Sequence, residues 1–271
     1  MRWNQQELVC LKENFPITED KKLSDTLGKS PNALRIKASR LGIKKASSLI
    51  REELELNEVE EQVVIGSLLG DLSCRINHTS KNANLEGGHC LAQKEYMLWK
   101  IALLQRLNFK IRKTKIGTYL FQSKNFRALN EYHDLFYSNG KKSVNRLILD
   151  RINKLGLLIW YLDDGSYHKR DNQGKLHTNG FSFEEQVLIK EWFKEKYGID
   201  PRIHTLKGSK KYEGKVWYYL SFTVDDTKRL LSLFKEFEVP SCMKYKLGDQ
   251  TTSHSILLNE VTEQSSWPIS G

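Results

Sequence analysis

Two stretches decide how this chain is read: "VIGSLLGDLS" (residues 64–73) and "LLIWYLDDGS" (residues 157–166). They close the longer segments "EEQVVIGSLLGDLS" (60–73) and "NKLGLLIWYLDDGS" (153–166). Apolar residues fall at nearly every position rather than along one stripe, so each segment reads as a helix buried on all sides. Asn57 followed by Glu60 three residues later marks the start of the first as a capping box. Each helix ends in an acid, Asp71 in one and Asp164 in the other. A carboxylate there meets the negative end of the helix dipole. Two such acids, brought together by packed helices, repel each other unless a cation sits between them. Hard carboxylate oxygens suit Mg2+, which keeps several waters and binds through one or two carboxylates plus substrate phosphate. Gly66 and Gly70, four residues apart, would let a partner helix approach closely. The second helix has Ile159 and Asp163 at those places, so the closeness is expected to be asymmetric.

Outward from these helices the pattern repeats. After helix 58–70, strands are expected near 72–77 and 87–93, helix 94–107, strands near 109–116 and 118–123, and helix 125–137. A second pass gives helix 152–163, strands near 166–170 and 175–181, helix 184–197, strands near 201–206 and 216–222, and helix 224–237. Each pass reads αββαββα. One supersecondary unit used twice pairs about a pseudo-two-fold axis. The expected fold class is α+β: repeats over residues 58–150 and 151–247, a linker at 46–57, and a polar tail at 248–271.

The two opening stretches resemble the signature helices of the LAGLIDADG homing endonucleases, in the single-chain form that carries both copies. Val64 to Leu72 aligns with the first copy and Leu157 to Gly165 with the second. The resemblance places Asp71 and Asp164 as metal-binding acids and implies that the main-chain carbonyls of Gly70 and Asp163 serve as further ligands. Leu72 departs from the family's glycine. "PSCMKYKLG" resembles the segment closing the second repeat and points to Lys246; "NGKKSV" is the comparable place in the first and points to Lys142, with Lys141 as a rival. Such lysines flank the family's metal centre. Gln93 and Asn179 lie where the family's polar residues order catalytic waters.

The resemblance implies a saddle that cuts both strands of a long, specific DNA target with Mg2+, Mn2+ substituting, and leaves short 3′ overhangs. It also implies a monomer with internal pseudo-two-fold symmetry and no obligate protein partner. An RNA maturase, or a DNA-binding regulator that has lost cleavage, stands as the alternative on the same scaffold. Alternation along the strands gives the groove contacts: Arg75, Asn77, Lys110, Arg112, His168, Arg170, Lys175, His177, Arg202 and His204. The following loop adds Lys207, Lys210 and Lys211 for phosphates.

Residues 1–45 read as a separate module of three short helices. Asn4 and Glu7 form a capping box, Pro16 ends the first helix and Gly28 the second. Ser30-Pro31 starts the third, with Leu34, Ala38 and Leu41 as its inner stripe. From Lys29 to Lys45 there are six basic residues and no acidic one. The module resembles Myb/SANT-like helix-turn-helix domains, whose last helix enters the major groove. Arg35, Ile36 and Ser39 are its candidate base contacts, and Lys37, Arg40 and Lys44 its phosphate contacts.

Composition agrees with a polyanion partner. Forty-three Lys and Arg against 33 Asp and Glu leave a net charge of +10, and each phosphate neutralised by such a side chain releases a counterion. The four cysteines form no C-x-x-C pair, which argues against structural zinc or a disulfide scaffold. The seven histidines show no H-x-x-x-H spacing, against a zinc nuclease. No apolar run spans a bilayer and the first residues are polar, so a soluble intracellular protein without membrane partner is expected, in a bacterial or phage cytoplasm or an organelle.

Overall fold

A computed structural model of the chain describes residues 3–46, 54–78, 80–207 and 214–248. The chain divides into two compact units, one N-terminal and ending at Glu55, the other holding most of the remainder.

The N-terminal unit has helices α1 (Gln5–Asn14), α2 (Asp20–Leu27) and α3 (Pro31–Arg40). Asn4 and Glu7 form the reciprocal capping box, and Ser30 accepts from the Ala33 amide. Gly28 ends α2 in the left-handed region (φ 60°). Leu11, Phe15, Leu23, Leu34 and Ala38 make the core, with Trp3, Cys10, Leu27 and Ile43 packed against it. Leu41, expected inside, is instead 38% exposed at the end of α3. The chain turns at Gly42, and Ile43 joins the core in its place.

The larger unit opens with α4 (Glu58–Leu69), then β1 (Ser73–Ile76), β2 (Ala83–His89), α5 (Lys94–Leu103), β3 (Lys110–Lys113), β4 (Tyr119–Gln122) and α6 (Ala128–Phe136). A short hairpin, β5 (Tyr137–Ser138) and β6 (Lys141–Lys142), and α7 (Arg146–Arg151) lead to the second pass. That pass is α8 (Lys154–Asp164), β7 (Gly165–His168), β8 (Gln173–Leu176), α9 (Phe183–Tyr197), β9 (Arg202–Lys207), β10 (Val216–Ser221), α10 (Val224–Ser232) and a 3-10 segment, Ser241–Leu247. Both four-stranded sheets are antiparallel, and their orders correspond: β1-β2-β4-β3 and β7-β8-β10-β9. Strand β2 starts earlier than the sequence pattern indicated, because Gly87 and Gly88 lie within it rather than in a preceding turn.

Helices α4 and α8 pack against each other through glycine. A β-carbon on Gly66 would sit 2.8 Å from Ile159 Cβ, and one on Gly156 would sit 2.6 Å from Gln62 Oε1. Both helices are buried from their second turn onward, as their all-round apolar character requires. Gln62 bridges them: its Oε1 accepts from the Asn153 amide (2.7 Å) and its Nε2 donates to Arg151 O (2.8 Å).

Register fixes which strand residues share a face, since paired residues of adjacent strands point the same way. In the first sheet Cys74, Leu85 and Phe121 are buried and define the core face. Ser73, Arg75, Glu86, Gln122, Lys110 and Arg112 then lie on the opposite, open face. In the second sheet Leu176 and Leu220 define the core face, which puts Ser166, His168, Lys175, Ser221, Tyr219, Arg202 and His204 on the open one.

Candidate active site at the paired helix ends

The site lies where α4 and α8 end. A β-carbon on Gly70 would fall 2.8 Å from Asp163 Oδ2, so glycine there is what admits the Asp163 side chain. Asp71 follows Gly70, the C-cap of α4, and Asp164 is the last residue of α8.

Burial pushes the Asp164 carboxyl up to about 8, and the charges of Asp163 and Asp71 push it the same way. Asp71 is raised by burial first and then by Asp163. Each acid therefore resists ionising beside the others, which is the condition a bound cation relieves. The lysines complete a matched arrangement. Lys142 Nζ donates to the carbonyls of Gly70 (3.1 Å) and Leu72 (2.7 Å), on either side of Asp71. Lys246 Nζ donates to Leu162 O (2.6 Å) and Asp163 O (2.9 Å), just before Asp164. Burial lowers the pKa of both ammonium groups, against the pull of the acids. Lys141, the rival of Lys142, is exposed and pairs across the hairpin with Ser138.

The donor set fits a hard divalent ion: two carboxylates, with the carbonyl oxygens of Gly70 and Asp163 next to them. Each carbonyl already accepts one lysine hydrogen bond and keeps a second lone pair. Asp71, His89 and Asp163 also present ligand atoms that all lie within 4.8 Å of one another. The Asp163 carboxylate, however, has its own cation. Its Oδ1 accepts from Tyr96 Oη (2.7 Å) and Lys100 Nζ (2.8 Å), and its Oδ2 accepts from the Asp71 amide (3.3 Å). Its side chain is thus committed to the protein, leaving its main-chain oxygen as the ligand candidate. His89 is buried; that burial and the Lys100 charge bring it down to about 4, so its ring is neutral at pH 7.

Gln93 joins this cluster through His89, whose Nδ1 lies 3.3 Å from Gln93 Oε1 and 3.9 Å from Asp71 Oδ2. Asn179 sits in the turn after β8, two residues past His177, whose amide donates to Asp164 O (2.9 Å). Of the groove residues, Arg75, Lys110, Arg112, His168, Lys175, Arg202 and His204 fall on the open faces. Asp71, Glu86, Lys110 and Arg112 line one open groove of about 590 Å³ on the first sheet. In the second sheet Tyr219 gathers the basic side chains: His204 stacks on it, His177 tilts against it, and Lys175 Nζ lies 5.6 Å from its ring centre.

Three placements differ from simple alternation. Arg170 is in a turn, since β7 ends at His168 and Asn172 takes a left-handed φ. Lys207 is exposed but shares its register with the core face of β9. Asn77 lies just past β1, where its amide donates to Asn84 Oδ1 (3.3 Å). Lys210 and Lys211 lie outside the described residues. In the N-terminal unit Ile36, Ser39, Arg40 and Lys44 are exposed, while Lys37 is half-buried. Arg35 is exposed but ion-paired with Asp20 (2.6 Å).

Sequence reading missed Tyr96, Lys100 and His89. A signal for Lys100 was present: it stands in line with Tyr96, Met97 and Leu103 on the apolar side of "EYMLWKIALL", where a buried charge needs a partner. It also passed over the β5–β6 hairpin, although Asn139-Gly140, both at positive φ, is a strong turn signature.

Residues 61–230 match the LAGLIDADG DNA endonuclease family. The chain belongs to that family. The cytochrome b mRNA maturase bI2 of Debaryomyces hansenii is 30% identical over 226 residues, covering 76% of this chain and 79% of the relative. The "Probable intron-encoded DNA endonuclease 3" of Mycosarcoma maydis is 33% identical over 138 residues, 49% of this chain and 95% of that protein. Protein RecA of Mycobacterium gastri is 27% identical over 225 residues, 77% of this chain; the chain spans about half (51%) of that relative's length. Among solved structures, the homing endonuclease I-WcaI bound to its DNA recognition sequence superposes with a TM-score of 0.60 at 23% identity, over 72% of this chain and 88% of that one. This likeness shows that the LAGLIDADG fold is shared. Among the described residues no helix is long and apolar enough to cross a membrane.

Proposed function

We propose that this LAGLIDADG protein is a site-specific endonuclease that hydrolyses both strands of a DNA duplex. The observation that carries the reading is the matched pair of half-sites: an acid at each helix end, and a lysine donating to the carbonyls next to each. A protein that only bound DNA would gain nothing from two acids facing phosphates.

Asp71 and Asp164, with the carbonyls of Gly70 and Asp163, would hold divalent ions, Mg2+ being the best match to an all-oxygen set. Such ions lower the pKa of water and clamp the attacking and leaving oxygens of a phosphodiester. The chain's own residues do the rest. Lys142 and Lys246 put positive charge beside each scissile phosphate, where charge gathers in the transition state. Gln93 and Asn179 orient water. The open faces of the two sheets, with Arg75, Lys110, Arg112, Lys175, Arg202 and His204, enter the major groove on either side of the cut. The basic helix α3 of the N-terminal unit supplies a further DNA contact through Ile36, Ser39 and Arg40.

The test is cleavage-site selection from a randomised DNA library with Mg2+, followed by the variants Asp71→Asn and Asp164→Asn. Either variant is expected to abolish double-strand cutting while DNA binding persists. Cutting that survives both substitutions sinks the mechanism. The similarity to an mRNA maturase favours one rival: stimulated intron splicing with no DNA cleavage would replace this reading with that one.

A further inference from the structure

Each lysine-bearing segment is tied down by an acid from the opposite repeat. Ser241–Leu247, which closes the second repeat and carries Lys246, is held by Glu95 of α5 in the first. The Ser241 amide donates to Glu95 Oε1 (3.2 Å), its hydroxyl to Oε2 (2.8 Å), and the Cys242 amide to Oε2 (3.3 Å). The mirror contact runs the other way. The Val144 amide, two residues beyond Lys142, donates to Glu185 Oε1 (2.8 Å) in the first turn of α9. Each acid lies in the opening turn of its repeat's second helix.

These ties matter because the segments have little regular structure of their own. One is a hairpin with two-residue strands and the other a short 3-10 turn. A lysine ammonium rides on a flexible four-carbon stem, so its reach to a carbonyl depends on where the backbone is fixed. Charge-assisted hydrogen bonds from a carboxylate to main-chain amides are among the stronger ways to fix it. Ser241 and Cys242 precede Lys246 by five and four residues in the same 3-10 segment, and Val144 lies two residues past Lys142, the end of β6.

We propose that Glu95 and Glu185 are cross-repeat positioning residues: Glu95 sets Lys246 beside Asp164, and Glu185 sets Lys142 beside Asp71. Neither half-site is then complete without the other repeat. The catalytic part of this inference rests on the endonuclease reading; the positioning part does not.

Two measurements on the full chain separate the parts. The first is acetylation of lysines by limiting acetic anhydride, read by mass spectrometry. Glu95→Ala is expected to raise labelling of Lys246 by about tenfold, the scale of losing a charge-assisted anchor, while Lys142 labelling stays constant. Unchanged Lys246 labelling, or equal rises at both lysines, overturns the proposal. The second is strand-specific nicking, with Lys246→Met and Lys142→Met identifying the strand each lysine serves. Glu95→Ala should slow the Lys246 strand by about tenfold or more relative to the other, as a misplacement of about 1 Å does. Glu95→Gln, which keeps one acceptor oxygen, should restore most of that rate. Glu185→Ala should slow the Lys142 strand. Ser182→Ala, which removes the hydroxyl side of the Glu185 capping box but spares Val144, should slow neither strand. Equal slowing of both strands by Glu95→Ala reduces the contact to a structural one and overturns the proposal. If the wild-type protein cuts no DNA but Lys246 labelling responds to Glu95→Ala, the anchors stand and the nuclease reading falls.

Discussion

The two repeats have the same plan and fill it with opposite residues. In the first, Leu72 follows the acid and packs against Gly87, whose absent β-carbon would lie 3.2 Å from Leu72 Cδ1. In the second, Gly165 follows the acid and pairs in register with Leu176, which is 1% exposed. The leucine has moved from one strand to its neighbour, and the glycine has moved the other way. A β-carbon on Gly165 would meet the Tyr161 ring at 2.6 Å, so this half cannot adopt the first arrangement unchanged. Pseudo-symmetry is thus kept in filled volume rather than in residue identity, as close packing demands. The departure from the family's glycine at Leu72 is compensated locally.

A second difference is not compensated. Asp163, with Lys100 and Tyr96, forms a fully buried cluster on one side of the helix pair, and its counterpart in the first repeat is Gly70. A buried ion pair adds little net stability, but removing one partner leaves the other uncompensated. The two half-sites thus share one extra carboxylate, supplied by the second repeat into the space that Gly70 leaves open in the first.

The largest expected effect breaks this one-sided cluster. Lys100→Met should cost about 3–5 kcal/mol of stability in urea unfolding, and adding Asp163→Asn should return most of it. A Lys100→Met variant as stable as the parent would show that the two halves do not differ in this way. Next comes the leucine exchange. Leu72→Ala should cost about 2–5 kcal/mol, and Gly87→Leu in the same chain should recover part by adopting the second repeat's arrangement. If the double variant is worse than both singles together, the exchange is not one of volume.

A smaller effect concerns pH without divalent ions. Asp164 titrates near 8 in the folded chain against an ordinary 3.8. A raised pKa favours the protonated form, so its contribution is fully favourable below the ordinary value and is lost as pH rises towards about 8. Thermal melts in EDTA should show declining Tm across that window. Asp164→Asn should flatten the decline, and Mg2+ should oppose it at the alkaline end. An undiminished slope in Asp164→Asn would move the titration to another group. The smallest effect compares the sheets on DNA. Arg202→Ala should lower the slope of log affinity against log salt by about one, and Arg75→Ala by less, because Arg75 already faces Glu86.

Much of this was legible in the residues. Capping at Asn4 and Asn57, the all-round apolar helices, the repeated αββαββα order and the acids at the helix ends depend on spacing along a few turns of chain. The open-face residues Arg75, Lys110, Arg112, Lys175, Arg202 and His204 followed from alternation. Where a strand stopped, as before Arg170, the alternation stopped with it. Site roles assigned by resemblance remain proposals to be tested by the variants above.

What tertiary structure alone decided is partnership across distance. Lys100 reaches Asp163 over 63 residues of sequence, and Lys142 reaches Gly70 O over 72. Glu95 and Ser241 meet over 146. Helix period, caps and strand alternation are properties of neighbouring residues, so the sequence by itself determined them. The partner of a buried charge is set by how close two helices can come. That distance was fixed here by Gly66, Gly70 and Gly156 only once the helices had packed.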